Sequence, residues 1–321
     1  MKDISIPLKM INLLADGEFY SGKKISRTLG ISFAAINTYI QIIRNWGIHV
    51  FTVPGKGYCL HAQLQLLNET AIRARLPSGR LTVLSVVDST NQYLIERMLT
   101  LKPGDACVAE YQKHGRGRRG RQWISPFGNN LYFSLYWRLE QGLSSACVLS
   151  LMVGIVIAEM LRHLGAEGVR IKWPNDLYLN NCKMAGILMD IIGNTGRNAN
   201  VVIGVGINLT MSASEAKLID QDWINLQEAG IAIDRNVLVA ELIDNLRRAL
   251  LQFERDGFSP FVARWQALDV FCDQPVKLLI GEREIRGIAR GIDVRGALLL
   301  EQDGECHAYL GGEISLRGLS L

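Results

Sequence analysis

The sequence has no closely spaced cysteines, no apolar run long enough for a membrane and little excess charge. Its six cysteines are scattered over 321 residues, and none forms a CxxC pair. Such isolated thiols are typical of reduced cytosolic proteins. The uncharged stretch 142–158 is shorter than the ~20 residues of a transmembrane helix, and polar residues interrupt the N-terminus where a signal peptide would be apolar. We therefore expect a cytoplasmic protein with no membrane partner and no protein-bound metal.

The small net charge is concentrated at one end of the chain. The total is +4, from 35 basic and 31 acidic residues. Residues 1–65 hold seven basic and three acidic residues, so the rest of the chain is neutral. A basic module on a neutral body suggests binding to a polyanion, although a solvated basic face would have the same composition.

The first 65 residues have the pattern of a winged helix-turn-helix. Apolar spacing predicts three short helices ending near glycines 17, 30 and 47, with Ser21 and Ser32 capping the second and third. A hairpin over 49–60 with a turn at 54–57 would form the wing. A helical packing domain without DNA is the alternative. The residues that would face DNA are Ser32, Phe33, Asn37, Gln41, Arg44 and Lys56.

From residue 81 the pattern changes to alternating strands and helices. It predicts a helix over 90–99 and a buried helix within 142–158. The predicted strands cover 81–87, 107–111, 131–137, 169–173, 186–192 and 201–209. Glycines 204 and 206 inside the last strand indicate a bulge or a group packed close against the backbone.

A loop at 115–121 reads Gly-Arg-Gly-Arg-Arg-Gly-Arg and matches GxGxxG. That fingerprint requires a helix to begin at its glycines, whereas loop residues and then a strand follow here. A Walker loop is excluded because GK[ST] is absent. Guanidinium groups and open backbone amides suit a phosphate or carboxylate, so we expect a loop that is mobile when empty and ordered by its ligand. An RNA-binding patch and a plain solvated loop are the alternatives that this pattern leaves open.

Four motifs in order carry a resemblance that covers the whole chain. They are Ser-Thr-Asn at 89–91, the arginine loop at 115–120, Lys-Trp-Pro-Asn-Asp at 172–176 and Lys-Met-Ala-Gly-Ile-Leu at 183–188, and Gly-Gly-Glu-Ile-Ser-Leu-Arg follows at 311–317. With them the chain resembles the bifunctional biotin–protein ligases and biotin operon repressors of enterobacteria.

The resemblance implies a multidomain α+β fold. A winged helix-turn-helix would cover 1–65, an α/β catalytic domain 66–270 and an SH3-like β-barrel 271–321. Short strand patterns at 276–280, 284–290 and 297–300 fit the barrel.

The implied activity is an ATP-dependent ligase. It would convert biotin to biotinyl-5′-adenylate, with ATP and Mg²⁺, and transfer the biotinyl group to a lysine of the biotin carboxyl carrier protein of acetyl-CoA carboxylase. With the adenylate bound, a homodimer would form through segments 139–145 and 193–200. That dimer would bind operator DNA and repress the biotin operon.

The family's functional residues match positions of this sequence one by one. The catalytic positions would be Arg118, Lys183 and Asp176. The nucleotide would lie beside Asn175, Asn208 and Trp223. Biotin or its adenylate would contact Ser89, Thr90, Asn91, Gln112, Gly115, Arg116, Gly117, Arg118, Lys183, Gly204 and Gly206.

The residue types suit this chemistry. A carboxylate and ATP are both anionic, so Arg116, Arg118 and Lys183 would hold them together. The mixed anhydride hydrolyses readily, which gives the arginine loop a second role as a lid. Asp176 would orient or deprotonate the acceptor lysine.

The winged helix departs from the family pattern. Phe33, Thr38 and Tyr39 stand where the repressors usually have an arginine, a lysine and a histidine. Fewer cations release fewer counterions, so we expect operator binding that is weak or directed to another sequence. The alternatives are a ligase with a vestigial winged helix, a DNA regulator that only senses a small molecule, and a lipoate or octanoate ligase.

Overall fold

The computed structural model describes residues 4–61, 63–140, 146–192, 198–211, 219–310 and 314–318. The N-terminal part is the predicted winged helix-turn-helix. Its core includes the third helix's Ile36, Ile40 and Ile43, all at most 2% exposed. The helices and the antiparallel wing strands are α1 (Ser5–Leu14), α2 (Gly22–Leu29), α3 (Phe33–Asn45), β1 (Val50–Val53) and β2 (Gly57–Leu60).

The caps of α2 and α3 follow from their sequence. Ser21 Oγ accepts the Lys24 N–H at 3.2 Å, and Ser32 Oγ accepts the Ala35 N–H at 3.2 Å. Gly30 ends α2 with φ of 65°, which a residue with a side chain rarely adopts. The predicted order of cap, helix and turn is therefore confirmed.

The central part is a mixed sheet covered by helices. Its described strands lie in the order β3-β4-β5-β9-β8-β7-β6, and of these pairs only β3 and β4 are parallel. The strands are β3 (Leu81–Val87), β4 (Ala106–Gln112), β5 (Asn130–Leu139), β6 (Arg170–Lys172), β7 (Asp176–Leu179), β8 (Cys182–Ile192) and β9 (Ala199–Asn208). The helices are α4 (Glu69–Arg73), α5 (Thr90–Ile95), α6 (Ala146–His163), α7 (Arg235–Asp256) and α8 (Ser259–Gln266).

Helix α6 and the inner face of α7 form the main core with the sheet. The apolar stretch predicted as a buried helix falls largely within α6, whose Leu149, Val153 and Ile157 are fully buried. Burial inside the protein, rather than in lipid, accounts for this run of apolar residues. Among the described helices, none is long and apolar enough to cross a membrane.

The predicted helix over 90–99 is too long. Helix α5 ends at Ile95, and a separate 3₁₀ turn covers Met98–Thr100. Leu99 is 97% exposed, so the last predicted turn has no apolar face to bury. Strand β8 begins at Cys182, four residues earlier than predicted, because Asn180 and Asn181 form a tight turn with positive φ.

The C-terminal part is an antiparallel sheet in the order β13-β12-β11-β10-β14. This architecture is consistent with the expected SH3-like barrel. The spacing predicted the first three strands and missed the last two. The strands are β10 (Pro275–Ile280), β11 (Arg283–Ile292), β12 (Leu298–Gln302), β13 (Glu305–Tyr309) and β14 (Ile314–Gly318).

Contacts at Trp46 and Gln65 join the winged helix to the central part. The Trp46 ring, at the end of α3, stacks on Phe127 with 5.8 Å between centroids, and the Phe127 N–H donates to the Trp46 carbonyl at 2.8 Å. Buried Arg235 donates to Glu110 Oε2 at 2.8 Å and to the Gln65 carbonyl at 2.6 Å. Gln65, which follows the wing, is thus bonded to the first residue of α7, and that residue is bonded in turn to β4.

Candidate active site and nucleic-acid interface

A cleft of about 600 Å³ lies between the central sheet, the arginine loop and the end of β14. Its floor follows β8 and β9, where Gly186 is paired with Gly206 and Leu188 with Gly204. Most of the predicted site residues line it, although they come from distant parts of the sequence. They are Ser89, Thr90, Asn91, Gln112, Arg116, Gly117, Arg118, Asn175, Asp176, Lys183, Gly204 and Gly206.

One end of the cleft is a buried hydrogen-bond network. Gln112 Oε1 accepts from the Thr90 backbone N–H at 2.9 Å and from its hydroxyl at 3.1 Å. Ser134 Oγ lies 2.7 Å from the Thr90 hydroxyl and contacts Asn91 Oδ1, and Gln112 Nε2 donates to Ser125 Oγ at 3.1 Å. The network fixes neutral amide and hydroxyl groups at this end.

Asp190 connects that network to the arginine loop. Its Oδ2 accepts from Asn91 Nδ2 at 2.8 Å and from an Arg116 guanidinium nitrogen at 2.6 Å. Sequence reasoning did not find Asp190. It lies inside an apolar strand pattern, and only the alternation of β8 would have placed it on the same face as Leu188.

The two strand glycines make room for side chains, as their position in a strand predicted. A Cβ on Gly204 would lie 2.3 Å from Asn91 Oδ1, and one on Gly206 would lie 2.4 Å from the Trp123 ring. A Cβ on Gly186, the neighbour of Gly206, would lie 3.1 Å from the same ring. Trp123 therefore packs against two glycines, a contact that the sequence did not reveal.

The other end of the cleft is charged. Lys183 Nζ lies 2.9 Å from Asp176 Oδ1, and both side chains are largely buried. Arg118 donates to Asn175 Oδ1 at 2.6 Å. Burial lowers the pKa of Arg118, and the nearby Asp176 carboxylate opposes that shift. Arg118 begins a 3₁₀ turn in which Arg119 has φ of 58°.

Lys172 and Tyr178 add to the charged end and were not predicted as site residues. Lys172 Nζ donates to the Tyr178 hydroxyl at 2.9 Å. Burial lowers the pKa of Lys172, and burial raises the pKa of Tyr178 to about 12. Lys172 is the cross-strand partner of Asp176, so strand pairing rather than sequence spacing brings it into the cleft.

Three predicted residues lie outside the described cleft walls. The Gly115 carbonyl accepts the Trp123 N–H at 2.9 Å, and a Cβ on Gly115 would lie 2.3 Å from the Trp123 carbonyl. Asn208 Nδ2 donates to the Ile224 carbonyl at 3.3 Å. Trp223 forms a backbone bridge beside Lys183. Gly115 thus supports the loop, while the segment around Trp223 borders the charged end.

Five predicted DNA-facing residues are exposed at α3, namely its N-cap Ser32 and the helical residues Phe33, Asn37, Gln41 and Arg44. Asn37 Oδ1 accepts the Tyr58 hydroxyl at 3.2 Å, and the exposed Lys56 ammonium lies 5.6 Å from the Phe19 ring centroid. Arg44 also donates to the Val50 carbonyl at 2.9 Å and so supports the base of the wing.

Three segments of the chain match known domain families, which define the class of protein. Residues 8–59 match an HTH domain, residues 83–208 match the biotin/lipoate A/B protein ligase family, and residues 271–317 match the biotin protein ligase C-terminal domain. A DNA-binding domain, a ligase domain and its C-terminal partner therefore occur in one chain.

Similar proteins of known name indicate the particular family. The chain is 60% identical over 317 residues to the bifunctional ligase/repressor BirA of Salmonella typhimurium and 59% identical to that of Escherichia coli, with 99% of each chain covered. It also resembles the biotin protein ligase from Aquifex aeolicus in complex with biotin and ATP (29% identity, TM-score 0.65, 75% of this chain and 99% of that one covered). The chain belongs to the family of bifunctional biotin–protein ligases and repressors, and the resemblance seen in its motifs is confirmed.

Proposed function

We propose that the protein joins biotin to ATP as biotinyl-5′-adenylate and transfers the biotinyl group to a lysine of the biotin carboxyl carrier protein. With the adenylate bound, it dimerises and represses the biotin operon. The observation that carries the catalytic part is that one cleft joins a neutral hydrogen-bonding end to a cationic end. Biotin, a bicyclic urea with a carboxylate on an apolar chain, matches that polarity.

The neutral end suits the ureido group. Thr90, Asn91 and Gln112 present hydroxyl and amide groups that donate and accept, and Ser89 begins the same turn. The apolar chain would cross the floor at Gly204 and Gly206 beside the Trp123 ring. A linear octanoyl or lipoyl group offers no partner for the buried amides, which disfavours that substrate.

The charged end suits adenylation. A biotin carboxylate oxygen attacks the α-phosphorus, the bond to the β-phosphate oxygen breaks, and pyrophosphate leaves. Lys183 and Arg118 would offset the negative charge of both reactants, and Arg116 would hold the loop through Asp190. Asn175, Asn208 and Trp223 would lie on the nucleotide side, with Trp223 available to stack on adenine.

Mg²⁺ would enter with the triphosphate. The described residues contain no group of three His, Cys, Asp or Glu side chains placed to hold a metal. Mg²⁺ in such sites usually keeps several waters and binds mainly through substrate phosphates. When bound, Mg²⁺ supplies charge neutralisation to those phosphates.

Transfer requires a neutral acceptor amine. The lysine nitrogen attacks the acyl carbon, AMP leaves, and the ammonium proton is lost. Asp176 is the carboxylate nearest Lys183 in the cleft and would orient this amine or accept its proton. The arginine loop would exclude water until the carrier arrives.

The proposed dimer uses one end of the central sheet. Leu139, the last residue of β5, is paired with Ala199, the first of β9, and Ile192 at the end of β8 is paired with Asn200. The two predicted segments therefore meet at the same place, although 141–145 and 193–197 lie outside the described residues. We expect adenylate binding to order the arginine loop and to strengthen this dimer.

Incubation with biotin, Mg·ATP and a carrier domain, followed by intact-mass measurement, tests the ligase. We expect one biotinyl group per carrier, none on a carrier whose acceptor lysine is replaced by arginine, and none with octanoate in place of biotin. An octanoylated carrier would instead support the related acyl ligase.

An electrophoretic shift with biotin, ATP and promoter DNA tests the repressor separately. A shift that requires both small molecules supports it. No shift at low salt would leave a ligase with a vestigial winged helix, the alternative raised by the loss of cations at Phe33, Thr38 and Tyr39.

A further inference from the structure

We infer that Phe33 reads the methyl group of a thymine in the major groove, so that this protein recognises one operator position by apolar contact rather than by a cation. The inference rests on the proposed repressor function and deepens it.

Phe33 occupies the position from which such a helix reads bases. It is the first residue of α3, directly after the N-cap Ser32. In a helix-turn-helix the N-terminal residues of the motif's second helix, here α3, contact base edges. Asn37 and Gln41 follow at intervals of four residues on the same exposed face.

The ring of Phe33 is both exposed and held in place. It is 60% exposed, more than Phe19 at 42% or Phe51 at 48% in the same domain. A Cβ on Gly22 would lie 2.2 Å from its Cε2 atom, so the ring packs on the bare backbone at the start of α2. A side chain fixed this way loses little further conformational entropy on binding.

The groups that the bases expose in the major groove indicate which base Phe33 would contact. Guanine, cytosine and adenine present only hydrogen-bonding groups in the major groove, whereas thymine adds its C5 methyl. Phe33 has no donor or acceptor, so a thymine methyl is the group that it recognises by contact. Asn37, one helical turn after Phe33, has polar atoms that could read a base by hydrogen bonding.

The positive charge of the domain that carries Phe33 favours DNA as the partner of this surface. All of the net +4 lies in residues 1–65. Lys24 in α2 and Lys56 in the turn of the wing are exposed and would meet phosphates. An exposed apolar side chain on a basic domain fits a base edge between two phosphate strands.

Removing a single methyl group tests this directly. A duplex selected from a random pool by the full chain with biotin and Mg·ATP would be remade with each thymine replaced in turn by deoxyuridine, and Kd measured by fluorescence anisotropy. We expect one or two replacements per half-site to weaken wild-type binding about three- to ten-fold. Phe33→Ala should bind the thymine and uracil duplexes equally, about as weakly as wild type binds the uracil duplex.

Lys56→Ala is the matched control. It should weaken both duplexes by the same factor and lower the slope of log Kd against log salt, whereas Phe33→Ala should leave that slope unchanged. Phe33→Leu keeps an apolar contact and should keep part of the methyl effect, which covers the case in which Phe33→Ala fails to fold.

The outcomes are distinguishable. Uracil duplexes that all bind like the parent, or a uracil effect that persists undiminished in Phe33→Ala, would overturn the inference while the repressor function stands. Failure to select any duplex at low salt would overturn the repressor function itself, and the inference with it.

Discussion

The Lys183 ammonium lies 2.9 Å from a carboxylate oxygen of Asp176, with 13% and 20% of the two side chains exposed. The proposed chemistry uses them in successive steps, the cation for adenylation and the carboxylate for transfer. A substrate carboxylate that binds Lys183 would compete with Asp176 for it. The pair therefore links arrival of the first substrate to release of the group that serves the second.

Lys183→Gln should block the first step. Loss of a fixed charge beside two anions is expected to slow biotin-dependent ATP–pyrophosphate exchange by about 10²- to 10³-fold. Exchange near the wild-type rate in a folded variant would refute the role of Lys183.

Asp176→Asn should instead affect the second step. Exchange is expected to stay within about ten-fold of wild type, while single-turnover transfer from preformed adenylate to the carrier slows by about 10²-fold or more. Equal losses in both steps would show that Asp176 only positions Lys183.

Arg118→Gln should weaken both binding and protection of the adenylate. We expect slower exchange by about 10²-fold and more AMP formed per carrier labelled, because the loop no longer bonds Asn175 across the cleft. Arg162→Gln, the same change at an exposed position of α6, should alter neither quantity. An unchanged ratio of AMP to labelled carrier in Arg118→Gln would argue against the lid.

Gly206→Ala should disturb the site more than the fold, since its Cβ would lie 2.4 Å from the Trp123 ring. We expect the Kd for biotin, measured by calorimetry, to rise more than ten-fold. Gly154→Ala is the control, because its Cβ meets side chains no closer than 3.5 Å. In a Trp123→Ala background the effect of Gly206→Ala should largely disappear. Equal effects in both backgrounds would place the clash elsewhere.

Gly204 and Gly206 also show which features of the site could be predicted from the sequence. Glycines inside a predicted strand indicated that something packs against them, and the motifs placed both in the pocket. Neither identified Trp123, which lies more than eighty positions away and packs on Gly206 and on Gly186, its partner across β8 and β9. Local patterns determine caps and turns, whereas a helix-to-strand contact such as that of Asn91 with Asp190 depends on how the elements pack together.

Breaking the buried Glu110–Arg235 pair should strongly destabilise the protein. The two side chains are each only 6% exposed, and Arg235 also donates to the Gln65 and Asn130 carbonyls. Glu110→Gln is expected to lower the free energy of unfolding by about 3–5 kcal/mol, because it leaves a buried guanidinium without its counter-charge. The check is a urea titration followed by circular dichroism.

The control for that change is the Glu159–Arg264 pair. Its side chains are 41% and 33% exposed, so Glu159→Gln should cost less than about 1 kcal/mol. Similar losses in Glu110→Gln and Glu159→Gln would mean that burial does not set the strength of these pairs.

Cys107 should make the protein sensitive to alkali. Its side chain is fully buried in β4, and burial raises the pKa of the thiol to about 12 from about 9. Between these values the unfolded chain has lost the proton and the folded chain has kept it, so the unfolded state binds fewer protons and stability falls as pH rises. Three pH units correspond to about 4 kcal/mol, an order-of-magnitude figure for one group. Guanidinium titrations from pH 8 to 10.5 should therefore show a shallower decline for Cys107→Ala than for wild type. Cys306→Ala, at an exposed position of β13, should follow the wild-type curve. Parallel curves for wild type and Cys107→Ala would show that other groups cause the alkaline loss.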